Sequence, residues 1–114
     1  AAKGIDVNVV DEYGRTPLHI AVIAKNHATV KALLAAREID VNSVDYFGRT
    51  PLHDAVLSKS HEAVKTLLAA KEIDVNAVDK FGRTPLHKAV TSHLHEIVKA
   101  LLAARARGID VNAV

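Results

Sequence analysis

The chain has 114 residues, of which 49% are hydrophobic and 25% are charged, a composition that fits one globular domain. Its formal net charge of +2 is too small to require a nucleic acid or an anionic membrane as partner. The absence of cysteine excludes disulfides, a thiolate nucleophile and cysteine-based zinc sites, and it favours an intracellular location, cytoplasmic or nuclear. No apolar run approaches the roughly 18 residues of a membrane-spanning helix.

A hexapeptide, Gly-Arg-Thr-Pro-Leu-His, occurs three times at intervals of 34 residues, at Gly14–His19, Gly48–His53 and Gly82–His87. Ile-Asp-Val-Asn also recurs, in the same order relative to the hexapeptide. A fixed period of this length predicts a solenoid of stacked repeats. We expect a single domain over 1–114, with repeats at 5–38, 39–72 and 73–108 and partial repeats at 1–4 and 109–114.

Each repeat predicts a turn, a short helix and a longer helix. In the first repeat, Asp11 opens the turn and Gly14 permits a positive φ at its end. Thr16 as N-cap and Pro17 at the first helical position start the short helix, which we expect to end near Ala24. Apolar residues at helical spacing predict the buried stripes of the two helices: Leu18, Ala21 and Val22, then Val30, Leu33 and Leu34.

The longer helix is expected over roughly residues 27–36. Asn26 and Ser60 are plausible N-caps in the first two repeats. Leu94 holds this position in the third repeat and has no side-chain acceptor, so we expect the helix to begin earlier there, near Ser92.

The period of 34 also fits tetratricopeptide repeats, but the chain has no Trp and no Leu-Gly-x-x-Tyr pattern. Instead, Asp-Val-Asn, Asp-x-x-Gly-Arg-Thr-Pro-Leu-His-x-Ala-Val and Val-Lys-x-Leu-Leu resemble the ankyrin repeat over nearly the whole chain. The resemblance implies an all-α helix-turn-helix solenoid with short β-hairpin loops. It also implies a concave protein-binding groove and no catalysis.

The chain departs from the ankyrin pattern at the turn between the two helices. The family usually has Gly-His there, whereas this chain has Lys25-Asn26, Lys59-Ser60 and His93-Leu94. A left-handed helix end costs about 1 kcal/mol more without Gly. We therefore expect the inter-helix turn to differ from the common one.

The chain also lacks a polar capping repeat at either end, and exposed apolar ends of a solenoid favour end-to-end association. It has no methionine, even at position 1, which indicates an excised fragment or an engineered protein. The near-identity of the repeats fits either origin, while the irregular insertion at 105–108 favours a natural one.

Positions that change between repeats define the candidate binding surface. One position of the short helix holds Ile20, Asp54 and Lys88, a variation that is incompatible with deep burial, so we expect this helix face to be exposed. The adjacent hairpin tips carry every aromatic residue, a class enriched at interfaces. The predicted partner-binding residues are Glu12, Tyr13, Arg15, Ile20, Ile23, Ala24, Tyr46, Phe47, Arg49, Asp54, Leu57, Ser58, Lys80, Phe81, Arg83, Lys88, Thr91 and Ser92.

Two alternatives stay open for this surface. The variation could be drift on a solvated face, and the aromatic rings, chiefly Phe47 and Phe81, could be spacers between repeats. The recurring arginines have two interpretations as well: recognition of a partner's carboxylates, or, as we favour, pairing with the aspartate of their own turn. A second basic row, Lys31, Lys65 and Lys99, is interpreted as a solvated outer face.

Six of the seven histidines form two rows, and each row has one histidine in every repeat. We expect His19, His53 and His87 to bond the Thr side chain and a neighbouring backbone group, which ties hairpin to helix. Members of a row lie about 10 Å apart, too far to share one metal ion, so no metal site is predicted. No phosphate-binding loop, metalloprotease motif or nucleophile elbow is present, so no enzymatic function is predicted.

The resemblance also implies that Asn42 and Asn76 fit the pattern accepted by asparaginyl hydroxylases, although a role in stabilising the turn explains them more simply. Together, these features predict a module without cofactors that binds a protein or peptide through its hairpin tips and short-helix face. The alternative is a structural scaffold or repeat fragment that self-associates end to end. A nucleic-acid binder that uses the arginines and tip aromatics is a further alternative.

Overall fold

A computed structural model describes residues 5–104 of the chain. This part contains six helices and no strands, which confirms the all-α solenoid. The helices are α1 (Pro17–Ile23), α2 (His27–Leu34), α3 (Pro51–Leu57), α4 (His61–Leu68), α5 (Pro85–Thr91) and α6 (His95–Ala103).

The helices form two layers. The short helices α1, α3 and α5 pack side by side, and each also packs against the longer helix that follows it. The longer helices α2, α4 and α6 form the second layer, and the molecule is elongated, with extents of 42 × 25 × 23 Å. We call α1/α2, α3/α4 and α5/α6 the first, second and third units, the α1–α3 contact the first junction, and the α3–α5 contact the second junction.

A turn precedes each short helix and projects from the layers. The first, second and third tips span residues 11–15, 45–49 and 79–83. Each tip is closed by a backbone bond between its end residues, as from the Asp11 N–H to the Arg15 carbonyl at 3.0 Å. Gly14 at φ 79° confirms the predicted positive φ. The tips therefore have hairpin-type closure, although residues 5–104 contain no assigned strand.

The first helix of each unit begins as predicted. Thr16, Thr50 and Thr84 are N-caps, and each accepts the backbone N–H of the histidine three residues later. The histidine side chain bonds back to the Thr backbone, which completes a reciprocal capping box.

The predicted caps of the longer helices are confirmed in two units and wrong in the third. Asn26 and Ser60 each accept a backbone N–H from the first turn of their helix. However, α6 begins at His95 and not near Ser92, and its N-cap Leu94 makes no side-chain bond. Packing of Ile97 and Leu101 into the core positions this helix without a polar cap.

The turn between the two helices also differs from the expectation. Lys25, Lys59 and His93 adopt φ of 57–58°, so the backbone takes the left-handed conformation although no glycine is present. The Asn26 N–H donates to the Ala21 carbonyl and the Lys25 N–H to the Val22 carbonyl, both at 3.0 Å. These bonds satisfy carbonyls at the helix end in a Schellman arrangement and offset the cost of the positive φ.

The core lies between the two helix layers and continues from unit to unit. The predicted stripe of the first unit is confirmed, with Leu18 and Val22 fully buried and Ala21 nearly so, while Leu33 and Leu34 are partly buried. The counterparts Leu52, Ala55 and Val56 are fully buried in the second unit, whereas in the third unit only Ala89 is. The largest fully buried apolar side chains are Leu18, Leu52, Leu67, Leu101, Val22, Val30, Val56 and Val64.

The predicted partial repeats at 1–4 and 109–114 and the insertion at 105–108 lie outside the described residues. Within residues 5–104, none of the helices has the length and apolarity needed to cross a membrane.

Two tip glycines provide a matched test of the unit-to-unit packing. Gly48 and Gly82 have nearly the same φ, 76° and 78°, but a Cβ on Gly48 would lie 2.8 Å from the backbone N of Lys80, whereas a Cβ on Gly82 meets nothing within 4 Å. Gly82→Ala should therefore lower the free energy of unfolding by about 1 kcal/mol, the cost of the left-handed backbone. Gly48→Ala should cost a further 1 kcal/mol or so, because the backbone of the third tip must move.

Urea unfolding of the two variants measures this difference. Equal losses would show that the second and third tips do not pack as closely as described.

Candidate functional site

The aromatic side chains of the tips are all exposed. Tyr13, Tyr46, Phe47 and Phe81 have between 45% and 65% of their surface accessible. Aromatic rings contribute large contact areas at interfaces, and these rings are not consumed by the core. The alternative that the rings act as spacers between repeats stays open, since the Tyr46 ring packs against Gly14 of the first tip.

Backbone bonds between successive tips hold the rings in register. The Tyr46 N–H donates to the Tyr13 carbonyl at 3.1 Å, and the Lys80 N–H donates to the Phe47 carbonyl at 2.9 Å. Each tip is thus fixed to its neighbour at the residue that carries, or adjoins, an aromatic ring. The result is a continuous row of tips and not three independent loops.

The short-helix face is exposed at most of its predicted positions. Ile20, Ile23 and Leu57 are each about 40% accessible, an unusual exposure for apolar residues so close together. Of the polar or small positions, Ala24, Thr91 and Ser92 are exposed, and Ser58 and Lys88 are half-buried. Glu12, Lys80 and Arg83 are exposed at the tips.

The predicted exposure is wrong for one residue of the surface. Asp54 was expected to be exposed, but it is only 4% accessible. The variation from Ile20 to Asp54 to Lys88 did not signal exposure at this position, because the first unit covers Asp54 while nothing in the described residues covers Ile20 in the same way. The same sequence position therefore has a different environment in each unit.

Sequence reasoning also missed a row of exposed valines. Val10, Val44 and Val78 occupy the same position in each unit, and none of them is among the predicted partner-binding residues. Each is between 51% and 54% accessible, immediately before the aspartate that opens a tip. The available signal was their position in a short β-branched segment, where side chains of successive residues alternate in direction.

The three arginines of the tips differ in their contacts. Arg15 pairs with Asp11, with Nε 3.0 Å from Oδ2, and its guanidinium lies 4.8 Å from the Tyr13 ring centroid. Arg49 lies 5.1 Å from the Phe47 ring, and its Nε is buried with no hydrogen-bond partner in the described part of the chain. The favoured pairing with the turn aspartate is therefore confirmed for Arg15 alone among the described residues.

The other turn aspartates serve the backbone. Oδ1 of Asp45 accepts the N–H groups of Phe47 and Arg49, at 2.9 and 3.0 Å, and Asp79 does the same in the third tip. Burial acts to raise the pKa of Asp79, but these backbone bonds outweigh it and leave the pKa below its usual value. The aspartates therefore shape the tips and leave the arginines of the second and third tips available.

The first row of histidines bonds the Thr side chain, as predicted, and His19 and His53 also tie their unit to the next, which the sequence did not predict. Nδ1 of His19 accepts the Thr16 N–H at 3.1 Å, so Nε2 must carry the proton, and it donates to the Arg49 carbonyl of the second tip at 2.8 Å. His53 repeats this arrangement with Thr50 and the Arg83 carbonyl. Both histidines are fully buried, and each is held in one neutral tautomer.

Asparagines that precede the tips form a second set of ties between units. The side chain of Asn42 donates to the Glu72 carbonyl at 2.7 Å and accepts the Asp74 N–H at 2.8 Å. Asn8 makes the equivalent pair of bonds to Glu38 and Asp40. These bonds confirm the structural role of Asn42, while its modification stays a prediction.

The outer layer carries the second basic row. Lys31, Lys65 and Lys99 are exposed, as predicted. Lys65 and Lys99 line an open depression of about 550 Å³ between α4 and α6. It is formed by the longer helices and is therefore separate from the tips and the short-helix face.

The first junction brings together three buried polar side chains that the sequence did not connect. A ring nitrogen of His19 and carboxylate oxygens of Asp45 and Asp54 all lie within 4.8 Å of one another. This spacing would suit a metal ion, but both nitrogens of His19 are already committed to hydrogen bonds. A metal on Nε2 would displace the Arg49 carbonyl and put a proton on Nδ1, opposite the Thr16 N–H. The chemistry of the cluster therefore fits a metal poorly.

Comparison with known proteins identifies one family. A family model described as "Ankyrin repeats (3 copies)" matches residues 1–79 and 47–114, which together span the chain. No curated protein matches the sequence.

The buried histidines predict a pH-dependent contribution to stability. Burial lowers the pKa of His53, and the bond to the Arg83 carbonyl only partly opposes this effect. Neutral His53 therefore stabilises the fold fully above the unfolded pKa of 6.5, and this contribution is lost as the pH falls below 6.5. We expect the gap in unfolding free energy between wild type and His53→Gln to narrow below pH 6.5, by at most about 1.4 kcal/mol per pH unit.

Urea unfolding between pH 5 and 8 measures the gap, and other titrating groups cancel in the difference. Leu57→Ala on the same helix is the control, because it removes no titratable group. A gap for His53→Gln that is constant over this range would contradict the prediction.

Proposed function

Because the chain belongs to the ankyrin repeat family, whose members generally act as protein–protein interaction modules, we propose that it binds a protein or peptide through its tips and short-helix face. The observation that carries the proposal is the exposure of all four aromatic rings on tips that are bonded to one another. The exposed valines that precede the tips and the exposed Ile20, Ile23 and Leu57 add to the accessible apolar surface.

The charges around this area indicate an apolar partner segment with acidic residues. Arg15 is neutralised by Asp11, but Lys80 and Arg83 are exposed, and Arg49 and Lys88 are half-buried. Glu12 is the one exposed acidic residue among the predicted site residues. A guanidinium group binds carboxylates well, so acidic residues that flank an apolar segment would complement the second and third tips.

The proposal includes no catalytic step. Ankyrin repeats are typically non-enzymatic, and the buried histidines His19 and His53 use both ring nitrogens in structural hydrogen bonds. Nucleic acid would be the partner only if the basic side chains bound phosphates, and such binding would fall steeply with salt.

Peptide selection tests the binding surface. A phage-displayed library of random peptides is selected on the immobilised chain, and the selected peptides should be rich in apolar and acidic residues. The triple variant Tyr46→Ala/Phe47→Ala/Leu57→Ala should bind them at least about tenfold more weakly, because it removes exposed apolar anchors. Its thermal midpoint should change little, since all three side chains are exposed.

The control variant is Lys31→Ala/Lys65→Ala on the outer layer, which should keep full affinity. Undiminished binding by the triple variant, or a loss that only matches a loss of folded protein, would rule out this surface.

A second candidate function, head-to-tail self-association, is favoured by the end faces of the stack. Pro17, Ile20, Ala21, Ala24 and Leu33 line a mostly apolar depression of about 360 Å³ on the first unit. The counterparts of these residues in the second unit are covered by the first unit, and most of them are buried. This face therefore has the chemistry of an inter-unit junction.

The third unit presents the complementary face. Val22 and Val56 are buried at the two junctions, whereas the equivalent Val90 is 55% exposed. Leu102 is likewise exposed, while its counterpart Leu68 is buried. A second copy could continue the stack by the contacts that join the units within one chain, and such an interface is heterologous and non-closing.

Light scattering tests this candidate. The mass of the wild type should rise above 12.2 kDa with concentration, while Ile20→Glu and Val90→Glu should each stay at 12.2 kDa because one face is blocked. An equimolar mixture of the two variants should form dimers only, since each retains one intact and complementary face. Val44→Glu, at an exposed position just before the second tip, is the control and should associate like the wild type.

A constant wild-type mass would exclude self-association. Association of either single variant on its own would exclude the head-to-tail geometry.

A further inference from the structure

The first junction contains a carboxyl group whose environment does not suit an ion. Asp54 is 4% exposed, and its Oδ2 is buried with no hydrogen-bond partner among residues 5–104. A second carboxylate, that of Asp45, has an oxygen within 4.8 Å. Two buried carboxylates at this distance cannot both ionise without a large electrostatic cost.

Asp45 is the member of the pair whose carboxylate already has hydrogen-bond donors. Its Oδ1 accepts two backbone N–H groups, at 2.9 and 3.0 Å, which favour the ionised form. Asp54 has no comparable bonds to its buried oxygen in the described structure. The asymmetry indicates that a shared proton would reside mainly on Asp54.

The second junction provides an internal comparison. There, Lys88 replaces Asp54, Asp79 replaces Asp45 and His53 replaces His19. The positive charge of Lys88 acts to lower the pKa of Asp79, so this junction combines unlike charges. The first junction places two carboxyl groups at the same positions, and a proton held between them removes their repulsion.

The charged groups that face Asp54 come from three elements. The second tip contributes Asp45 and Arg49, the first tip contributes Arg15, and α1 contributes His19, which is neutral in its observed tautomer. Burial raises the pKa of Asp54 to about 7, with a further increase from Asp45, while Arg49 and Arg15 act to lower it. The two arginines therefore do not compensate for burial beside a second carboxylate.

We propose that Asp54 binds a proton in mildly acidic solution, shared with Asp45, and releases it in mildly basic solution, so that the first junction is a proton-sensitive joint between the first and second units. Loss of this proton places an unpaired charge between α1 and α3, where the helices are in contact. The packing of the first unit against the second is therefore more stable in mild acid and less stable in mild base. The second junction, with Lys88, lacks this response.

The sign of the pH dependence follows from the raised folded-state pKa of Asp54. The stabilisation relative to the ionised form is complete below the unfolded pKa of 3.8 and is lost as the pH rises toward about 7. The buried histidines act in the opposite direction below pH 6.5, so the wild-type profile alone cannot isolate Asp54. The wild type must therefore be compared with a variant that lacks only the titrating carboxyl group of Asp54.

Urea unfolding of the wild type and Asp54→Asn between pH 4 and 8.5 provides that comparison. Asn is similar in shape to the neutral acid and cannot ionise. The unfolding midpoint of Asp54→Asn relative to that of the wild type should therefore increase steadily from pH 4 to about 7 and then level off. Glu12→Gln, at an exposed tip position, is the matched control and should not show this increase.

Carbon-13 NMR of the wild-type chain measures the titration of Asp54 directly and does not depend on whether the variant folds. The Asp54 side-chain carboxyl should titrate with a midpoint close to 7. A midpoint below about 5, or a wild-type-to-variant difference in unfolding that does not change with pH, would overturn the proposal.

Cobalt(II) titration separates a proton from a metal ion at the same cluster. The proposal expects no new visible absorption when cobalt is added to the wild type at pH 7.5. Absorption that appears in the wild type and is absent in Asp54→Asn would show that the cluster binds a metal, and it would overturn the proposal.

Discussion

The structure depends on one repeated hydrogen-bond unit, the Thr–His tie. Within a unit, the histidine ring accepts the Thr backbone N–H and completes the capping box of the short helix. Its other nitrogen donates to a carbonyl in the next tip, as His19 does to Arg49. A single side chain therefore fixes the helix start, the tip that precedes it and the spacing to the following unit, and this requires a buried, neutral imidazole.

This arrangement explains why the tips can carry a binding surface. The tie, the turn aspartates and the bonds between successive tips satisfy the backbone polar groups without using aromatic side chains. The asparagine bonds add a further tie between neighbouring units, as Asn42 does with Glu72. The rings of Tyr13, Tyr46, Phe47 and Phe81 are therefore not needed for closure of the tips, and they remain accessible to a partner.

The row Ile20, Asp54 and Lys88 shows how stacking gives one sequence position three environments. Ile20 lies on an uncovered end face, Asp54 is buried beside a second carboxylate, and Lys88 is half-buried near Asp79. The fold tolerates these changes because the Thr–His tie and the apolar stripe, which are the same in each unit, carry most of the junction. The variable position adjusts the electrostatics of each junction separately.

The sequence by itself determined the repeat architecture, the helix starts at Pro17, Pro51 and Pro85 and the buried stripe, since these depend on local capping and on periodicity. It did not determine exposure at the variable or constant positions: Asp54 is buried and Val44 is exposed. It also did not show that the Lys25 turn stays left-handed without glycine or that α6 needs no polar cap. Only the tertiary structure decided these points, because burial and charge proximity depend on which side chains a neighbouring unit supplies from about 30 residues away in the chain.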